Sequence, residues 1–412
     1  MTSISTSDSP QRARARNRRF ILDVVRDEGS ITRANLGSII KLSKSAIKEI
    51  CDDLIRDQLL EEFQPDDFEK RTPGRPALSL RVTRSHGDLL GIDIGADKVV
   101  ARSATLAGDT LISKEIRTRR EKPDRDYLLS LVARAISATL GGSDPDDQPF
   151  RTVVVSTPGV VDPITQCVSL APQIRDWEGT NLRTAVAELI GIDPQRVFVE
   201  SQTGLSVLAE SAAGAAKGLR HVLYVQIGIG IGGGLIVDGR LYAGSLGAAG
   251  ELGYLPHSFG DVAPAGSGIG AWEWAAGGRA WARHGREAAL EPGGARLLAL
   301  AKGVVEDVDA EIVLLGVREG DAAARDVFEC LTGRLAVGIA SAICVLNPEC
   351  VLIAGGLSKG GSMILEAIKT KIAPLVPIMP EMRLAAFGGD DGVTGAILRA
   401  SRYAFDTLNP MP

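Results

Sequence analysis

Leu89-Leu90-Gly91-Ile92-Asp93-Ile94-Gly95-Ala96-Asp97-Lys98-Val99-Val100-Ala101 decides the architecture, since two apolar runs parted by a glycine turn predict strand, turn, strand. A further strand and a helix around Leu128–Leu140 are expected next. Strands over Thr152–Ser156, Val197–Glu200 and Leu223–Ile227 follow with helical connections, the last running into Gly228-Ile229-Gly230-Ile231-Gly232-Gly233-Gly234. Hairpins alternating with α crossovers indicate an α/β fold. Two glycine-rich turns at strand ends, each opening toward a cleft, point to phosphate binding more strongly than one would.

Upstream the pattern is different. Phe20, Ile21, Val24 and Val25 share a helical face from Asn17, with Gly29 placed as a stop. Thr32 can cap a second helix carrying Leu36, Ile39 and Ile40. A third starts at Ser43, with Ile47, Ile50, Cys51 and Leu54 on its buried stripe. Three short helices with a tight turn between the last two make a helix-turn-helix. Leu59–Phe63 and the alternating Ala77–Val82 form a hairpin wing around Lys70-Arg71-Thr72-Pro73-Gly74-Arg75-Pro76. In a major groove the third helix would present Ser43, Lys44, Ser45 and Lys48 to phosphates and base edges. Arg71, Gly74 and Arg75 would lie along a minor groove. Arg12, Arg14, Arg16, Arg18 and Arg19 read equally as a solvated face or a phosphate-contacting arm.

The 412 residues are enough for two or three domains, and 45% hydrophobic with 24% charged residues excludes wholesale disorder. Residues 11–85 carry net charge +4 and residues 86–412 carry −8, with Asp8 adding −1, so a polyanion partner is expected for the N-terminal module only. Cys51, Cys167, Cys330, Cys344 and Cys350 are odd in number and lack CxxC spacing, which favours buried thiols over disulfides or a zinc cluster. The apolar run Leu335–Leu346 is too short to cross a bilayer and the N-terminus has no apolar signal core, so no membrane partner and a cytoplasmic location are expected.

These motifs, in this order, resemble the ROK family (repressors, open reading frames and kinases). The resemblance covers about residues 15–412. It is carried by Gly74-Arg75-Pro76-Ala77, Gly91–Gly95, Thr157-Pro158-Gly159-Val160-Val161-Asp162, Trp177-Glu178-Gly179, Gly230–Gly234, Gly247–Gly253 and Asn347-Pro348-Glu349. It implies an α/β fold made of an N-terminal winged helix-turn-helix and a two-lobed, actin-like ATPase body. The expected organisation is a disordered tail over 1–14, a DNA-binding domain over 15–85, lobe 1 over 86–195 completed by a C-terminal helix over 393–408, and lobe 2 over 196–392 with the effector cleft and dimerisation surface.

Departures from the family's kinases are as informative. The general base of the kinases corresponds to Gln202, whose amide has no useful basicity, and their sugar-binding Asn to Ser201. Asp97 would repel the phosphates its loop should cradle, and Ile229 replaces a hydroxyl donor, so tight ATP binding is not expected. Where many members hold zinc, this chain has Tyr254, Pro264, Gly266 and Ala271, none of which can ligate it; packing of Trp272, Trp274 and Trp281 is expected to replace it. Glu251 and Glu273 remain as acceptors for sugar hydroxyls. The resemblance therefore implies a transcriptional regulator, a repressor without catalytic residues, cofactor or metal. It would bind a double-stranded DNA operator as a homodimer or tetramer and hold a sugar or sugar-derivative effector among Gly159, Ser201, Gln202, Glu251, Tyr254 and Glu273. The rival readings are a sugar kinase with an appended DNA-binding module and a regulator that senses no ligand.

Overall fold

The computed structural model describes residues 10–64, 78–84, 88–119, 123–140, 150–257 and 263–408. Helix α1 spans Pro10–Glu28 and so begins well before Asn17, taking in residues 10–14 of the expected disordered tail. Alternating Arg and Ala are good helix formers, and Ile21, Leu22 and Val25 anchor the following turns in the core. A short strand β1 (Ile31–Thr32) leads into α2 (Arg33–Ile40), where Thr32 Oγ1 accepts from Asn35 N at 3.2 Å as the helix cap. Lys41, left-handed at φ 57°, makes the tight turn. Helix α3 (Lys44–Arg56) is capped by Ser43 and buries the predicted stripe Ile47, Ile50, Cys51 and Leu54. Strands β2 (Leu60–Phe63) and β3 (Ser79–Val82) pair antiparallel with Leu60 opposite Val82, and β1 adds to β3. The wing residues Arg71, Gly74 and Arg75 lie outside the described residues.

The body holds two five-stranded sheets among the described residues. In lobe 1, β4 (Leu89–Ile94), β5 (Lys98–Ala104) and β6 (Thr110–Arg117) form a meander. Helix α4 (Arg125–Leu140) then crosses to β7 (Thr152–Thr157), which lies parallel to β4. A small hairpin, β8 (Val160–Val161) with β9 (Val168–Ser169), and helix α5 (Leu182–Ile190) lead to β10 (Val197–Ser201), parallel to β7. Every residue of β4 and β7 is buried, polar Asp93, Thr152, Ser156 and Thr157 included, as strands covered on both faces require.

Helix α6 (Gln202–Ala213) carries the chain into lobe 2, whose sheet is ordered β13-β12-β11-β14-β15. Its strands β11 (Val222–Ile227), β12 (Ile231–Val237) and β13 (Arg240–Leu241) precede helices α7 (Ala271–Ala276), α8 (Gly278–Leu290), α9 (Ala295–Leu300), α10 (Ala310–Arg318) and α11 (Ala322–Leu346). The lobe closes with β14 (Cys350–Ala354), α12 (Ser362–Ile372) and β15 (Glu381–Leu384). Residues 335–346 are the end of the longer α11, which by length and composition alone could cross a membrane; half of its apolar window is buried inside lobe 2.

The final helix α13 (Asp391–Leu408) returns across the lobe 1 sheet, burying Val393, Ala396, Ile397, Ala400, Ala404 and Phe405. The last two sit in one apolar cluster with Ile21, Leu22 and Val25, so α1 is packed on the body. The Tyr224 hydroxyl of β11 donates to Asp391 at the start of α13, and Glu210 of α6 accepts from Ala386 N at 2.7 Å and Phe387 N at 3.1 Å in the segment that leads into that helix.

One expectation needs correction. Gly232, Gly233 and Gly234 are in β12, not in a phosphate loop; the turn is confined to Gly228–Gly230. A Cβ on Gly234 would come within 2.3 Å of the Thr203 carbonyl oxygen and one on Gly232 within 2.9 Å of the Thr203 methyl, so these two let α6 lie directly on the strand, while Gly233 makes room for Leu252 and Gly250 on the other face.

Candidate functional site

On the N-terminal winged-helix module, Lys44, Ser45 and Lys48 are exposed at the start of α3, whereas Ser43 Oγ accepts from Ala46 N at 3.2 Å and lies 3.0 Å from Ser45 Oγ. Three members of the arginine series are held by acids of the fold. Arg14 pairs with Glu49 at 3.0 Å and with Asp53, Arg18 with Asp57, and Arg19 with Asp23 at 3.1 Å and with Asp406. From the other side Arg33 reaches Asp52 at 2.7 Å and Glu62 at 2.8 Å. The acids along α3 are thus neutralised within the fold, and the lysines dominate its leading end.

In the body, Asp93 lies buried near the end of β4. Asp93 Oδ1 accepts from Ser156 Oγ at 2.5 Å and from Gln202 Nε2 at 3.0 Å. Burial pushes this carboxyl up to about 6 despite the two donors. Ser201 caps α6, its Oγ accepting from Gly204 N at 3.3 Å, so its hydroxyl is engaged by the helix. Asp97 is exposed, with Oδ1 only 3.0 Å from the place a Gly95 Cβ would occupy, so its carboxylate overhangs the glycine turn. Ile229 is exposed at the second turn.

A second group gathers the sugar-pocket candidates of lobe 2. Glu273 on α7 is buried; its Oε2 accepts from Ile231 N at 3.1 Å and its Oε1 from Gln173 Nε2 at 3.4 Å. Burial raises the Glu251 carboxyl to about 7, with the neighbouring Glu273 adding to the shift, and burial raises Glu273 too. Tyr254 stands near both acids and donates its hydroxyl to the Gly268 carbonyl. Gly159, at φ 90°, leaves only 2.5 Å between a would-be Cβ and the Ser169 carbonyl oxygen, so it shapes the β8–β9 lip rather than offering a side chain. Trp272 and Trp281 are fully buried and Trp274 lies under Arg283 at 4.2 Å. Among the described residues no group of three or more His, Cys, Asp or Glu could hold a metal ion.

Sequence reading singled out Gln202, Glu251 and Glu273 but missed Asp93, Ser156 and Gln173. Asp93 had a signal: it is the lone carboxylate in an otherwise apolar strand, and such groups are retained where they have partners.

Residues 89–402 match the ROK family, and the chain belongs to it. It is 24% identical over 356 residues to a protein named xylose repressor from Caldicellulosiruptor bescii, covering 86% of this chain and 87% of that one. It is 28% identical over 286 residues to a glucokinase of Streptomyces coelicolor, covering 69% of this chain and 86% of that one. Among solved structures, a ROK family transcriptional regulator described as a homologue of the Escherichia coli Mlc protein superposes with TM-score 0.77 at 24% identity, over 97% of this chain and 98% of its own. A ROK family glucokinase from Streptomyces griseus, solved with glucose and AMPPNP, superposes with TM-score 0.65 at 27% identity, over 76% of this chain and 99% of its own.

Proposed function

We propose that this protein is a DNA-binding transcriptional repressor whose two-lobed body senses a sugar and does not transfer phosphate. The observation that carries the reading is the extent of similarity: the regulator is matched over 97% of this chain, the glucokinase over 76%, and the difference is about the size of the N-terminal module. That module has a capped recognition helix with Lys44, Ser45 and Lys48 exposed and its acids paired off. Two copies in a homodimer would read two half-sites, with Arg71, Gly74 and Arg75 of the wing following the minor groove. Such a protein acts on the chromosome, in the cytoplasm.

The body supports sensing over catalysis. Gln202 stands where the family's kinases carry their base, and its amide, which donates to Asp93, has no useful basicity of its own. Glu251 and Glu273 keep acceptors for sugar hydroxyls, and the relatives' names make D-xylose and D-glucose the first probes. A sugar bound between the lobes would favour one degree of closure and so one spacing of the paired DNA modules. A kinase reading is kept alive by the glucokinase relatives. It is tested by incubating the purified protein with ATP, magnesium and a panel of sugars: no sugar phosphate is expected. A thermal-shift screen of the same sugars should show one ligand raising the melting temperature, since a ligand at 100 times its Kd stabilises by about 2.7 kcal/mol.

A further inference from the structure

The strand that ends at Ser201 carries one more acid, pointing away from the cleft. Glu200 Oε1 accepts from Arg399 Nε at 2.6 Å and from the Tyr403 hydroxyl at 2.6 Å, both on α13. The Tyr403 ring stacks on Phe198 of the same strand, centroids 4.0 Å apart and planes 15° from parallel, and Arg399 lies over that ring at 4.7 Å. Burial, reinforced by Glu200, keeps the Tyr403 hydroxyl protonated and therefore a donor. This is a joint with three contacts of different kinds between β10 and α13.

Both ends of the joint lead somewhere. Toward the cleft, Glu200 is followed directly by the Ser201 cap and by Gln202 on Asp93, so any displacement of the start of α6 re-aims the Glu200 backbone. Toward the N-terminus, the next residues of α13 are Ala404 and Phe405, which belong to the same apolar cluster as Ile21, Leu22 and Val25 of α1, and then Asp406, whose ion pair with Arg19 joins α13 to α1. Helix α1 grips the recognition helix through Arg14 on Asp53 and Arg18 on Asp57. Exposed ion pairs of this kind contribute little stability, whereas the Glu200–Arg399 pair is largely shielded from solvent.

We infer that Glu200, Arg399 and Tyr403 are positioning residues that convey the state of the Gln202 cleft along α13 to the DNA-binding helices. The inference rests on the sensor reading above. Spatial continuity is not coupling; coupling means that a change in the cleft and a change at the joint are non-additive at α1.

Hydrogen exchange on the intact chain measures this without DNA or sugar, using the wild type, Gln202→Glu, Tyr403→Phe and the double variant. Gln202→Glu replaces the amide on Asp93 with a like charge, and exchange in α1 over residues 18–25 should accelerate about fivefold. In the Tyr403→Phe background the same change should move α1 by less than about twofold. Glu200→Gln, which keeps the size of the side chain, should uncouple the two ends in the same way. Full acceleration of α1 in the Tyr403→Phe background would overturn the inference, as would none in Gln202→Glu alone. Equal acceleration of α11 in lobe 2 would also overturn it, because the joint would then merely hold up the fold. Failure of the repressor reading itself shows separately, as an inability to select DNA.

Discussion

Asp93→Asn is expected to stabilise the protein increasingly as pH rises. A free aspartate titrates near 3.8; in the fold burial raises Asp93 to about 6, against the donors Ser156 and Gln202. A carboxyl whose folded value is raised holds its proton more tightly in the folded state. Its contribution is therefore fully present below the unfolded value and is lost as pH rises through the folded one. The gap of about two units corresponds to about 3 kcal/mol in all, of which about 1.4 kcal/mol disappears between about pH 5 and pH 8. Asparagine keeps an acceptor for both donors and never ionises. Whatever constant offset the amide introduces, the variant should gain about 1.4 kcal/mol on the wild type over that interval. Urea unfolding of both proteins at the two pH values reads this difference, and taking the difference cancels carboxyls titrating elsewhere. A flat difference, or one that grows toward pH 5, would refute the picture of Asp93 as a buried acid held by an amide. The result bears on function, because it establishes whether the carboxyl that receives the Gln202 amide is ionised near neutral pH.

Replacing Lys44 and Lys48 together with Ala should weaken DNA binding, and if each sits on a phosphate the salt slope of affinity should fall by about one per lysine; unchanged binding would sink the recognition-helix assignment. Purified protein should carry no stoichiometric zinc and chelators should leave its melting temperature unchanged, whereas one tightly held equivalent would show that residues 254–271 are misaligned with the family's zinc site. Gln202→Asp alone should remain inactive with ATP and sugars, because Asp97 still overhangs the first turn. Adding Asp97→Thr and Ile229→Thr should restore weak ATP binding, read by calorimetry, before any phosphoryl transfer; full activity from the single variant would contradict this order.

Much of the fold was legible because its signals are local. Thr32 and Ser43 announce their helices through cap chemistry, and the α3 stripe follows from a 3.6-residue period. What was hidden depends on where separate elements cross. The Arg12–Arg19 run cannot be told from a phosphate arm until α1 is laid against α3, where Asp53 and Asp57 meet it. Gly232–Gly234 look like a loop because glycine serves turns and close packing alike, and only the passage of α6 over β12 separates the two uses. In the body, substitutions at the family's motif positions singled out Gln202 and Tyr254 as candidates. That Gln202 bonds to Asp93 rests on a contact spanning 109 positions in the chain, which no local pattern carries.

The most direct measurement is capture of fragmented genomic DNA from the source organism by the purified protein, followed by sequencing of the bound fragments. A DNA-binding repressor should enrich a few discrete sites sharing a two-fold symmetric sequence, and the Lys44→Ala, Lys48→Ala variant should lose them. Uniform recovery of DNA by both proteins, together with phosphorylation of a sugar by the wild type, would contradict it.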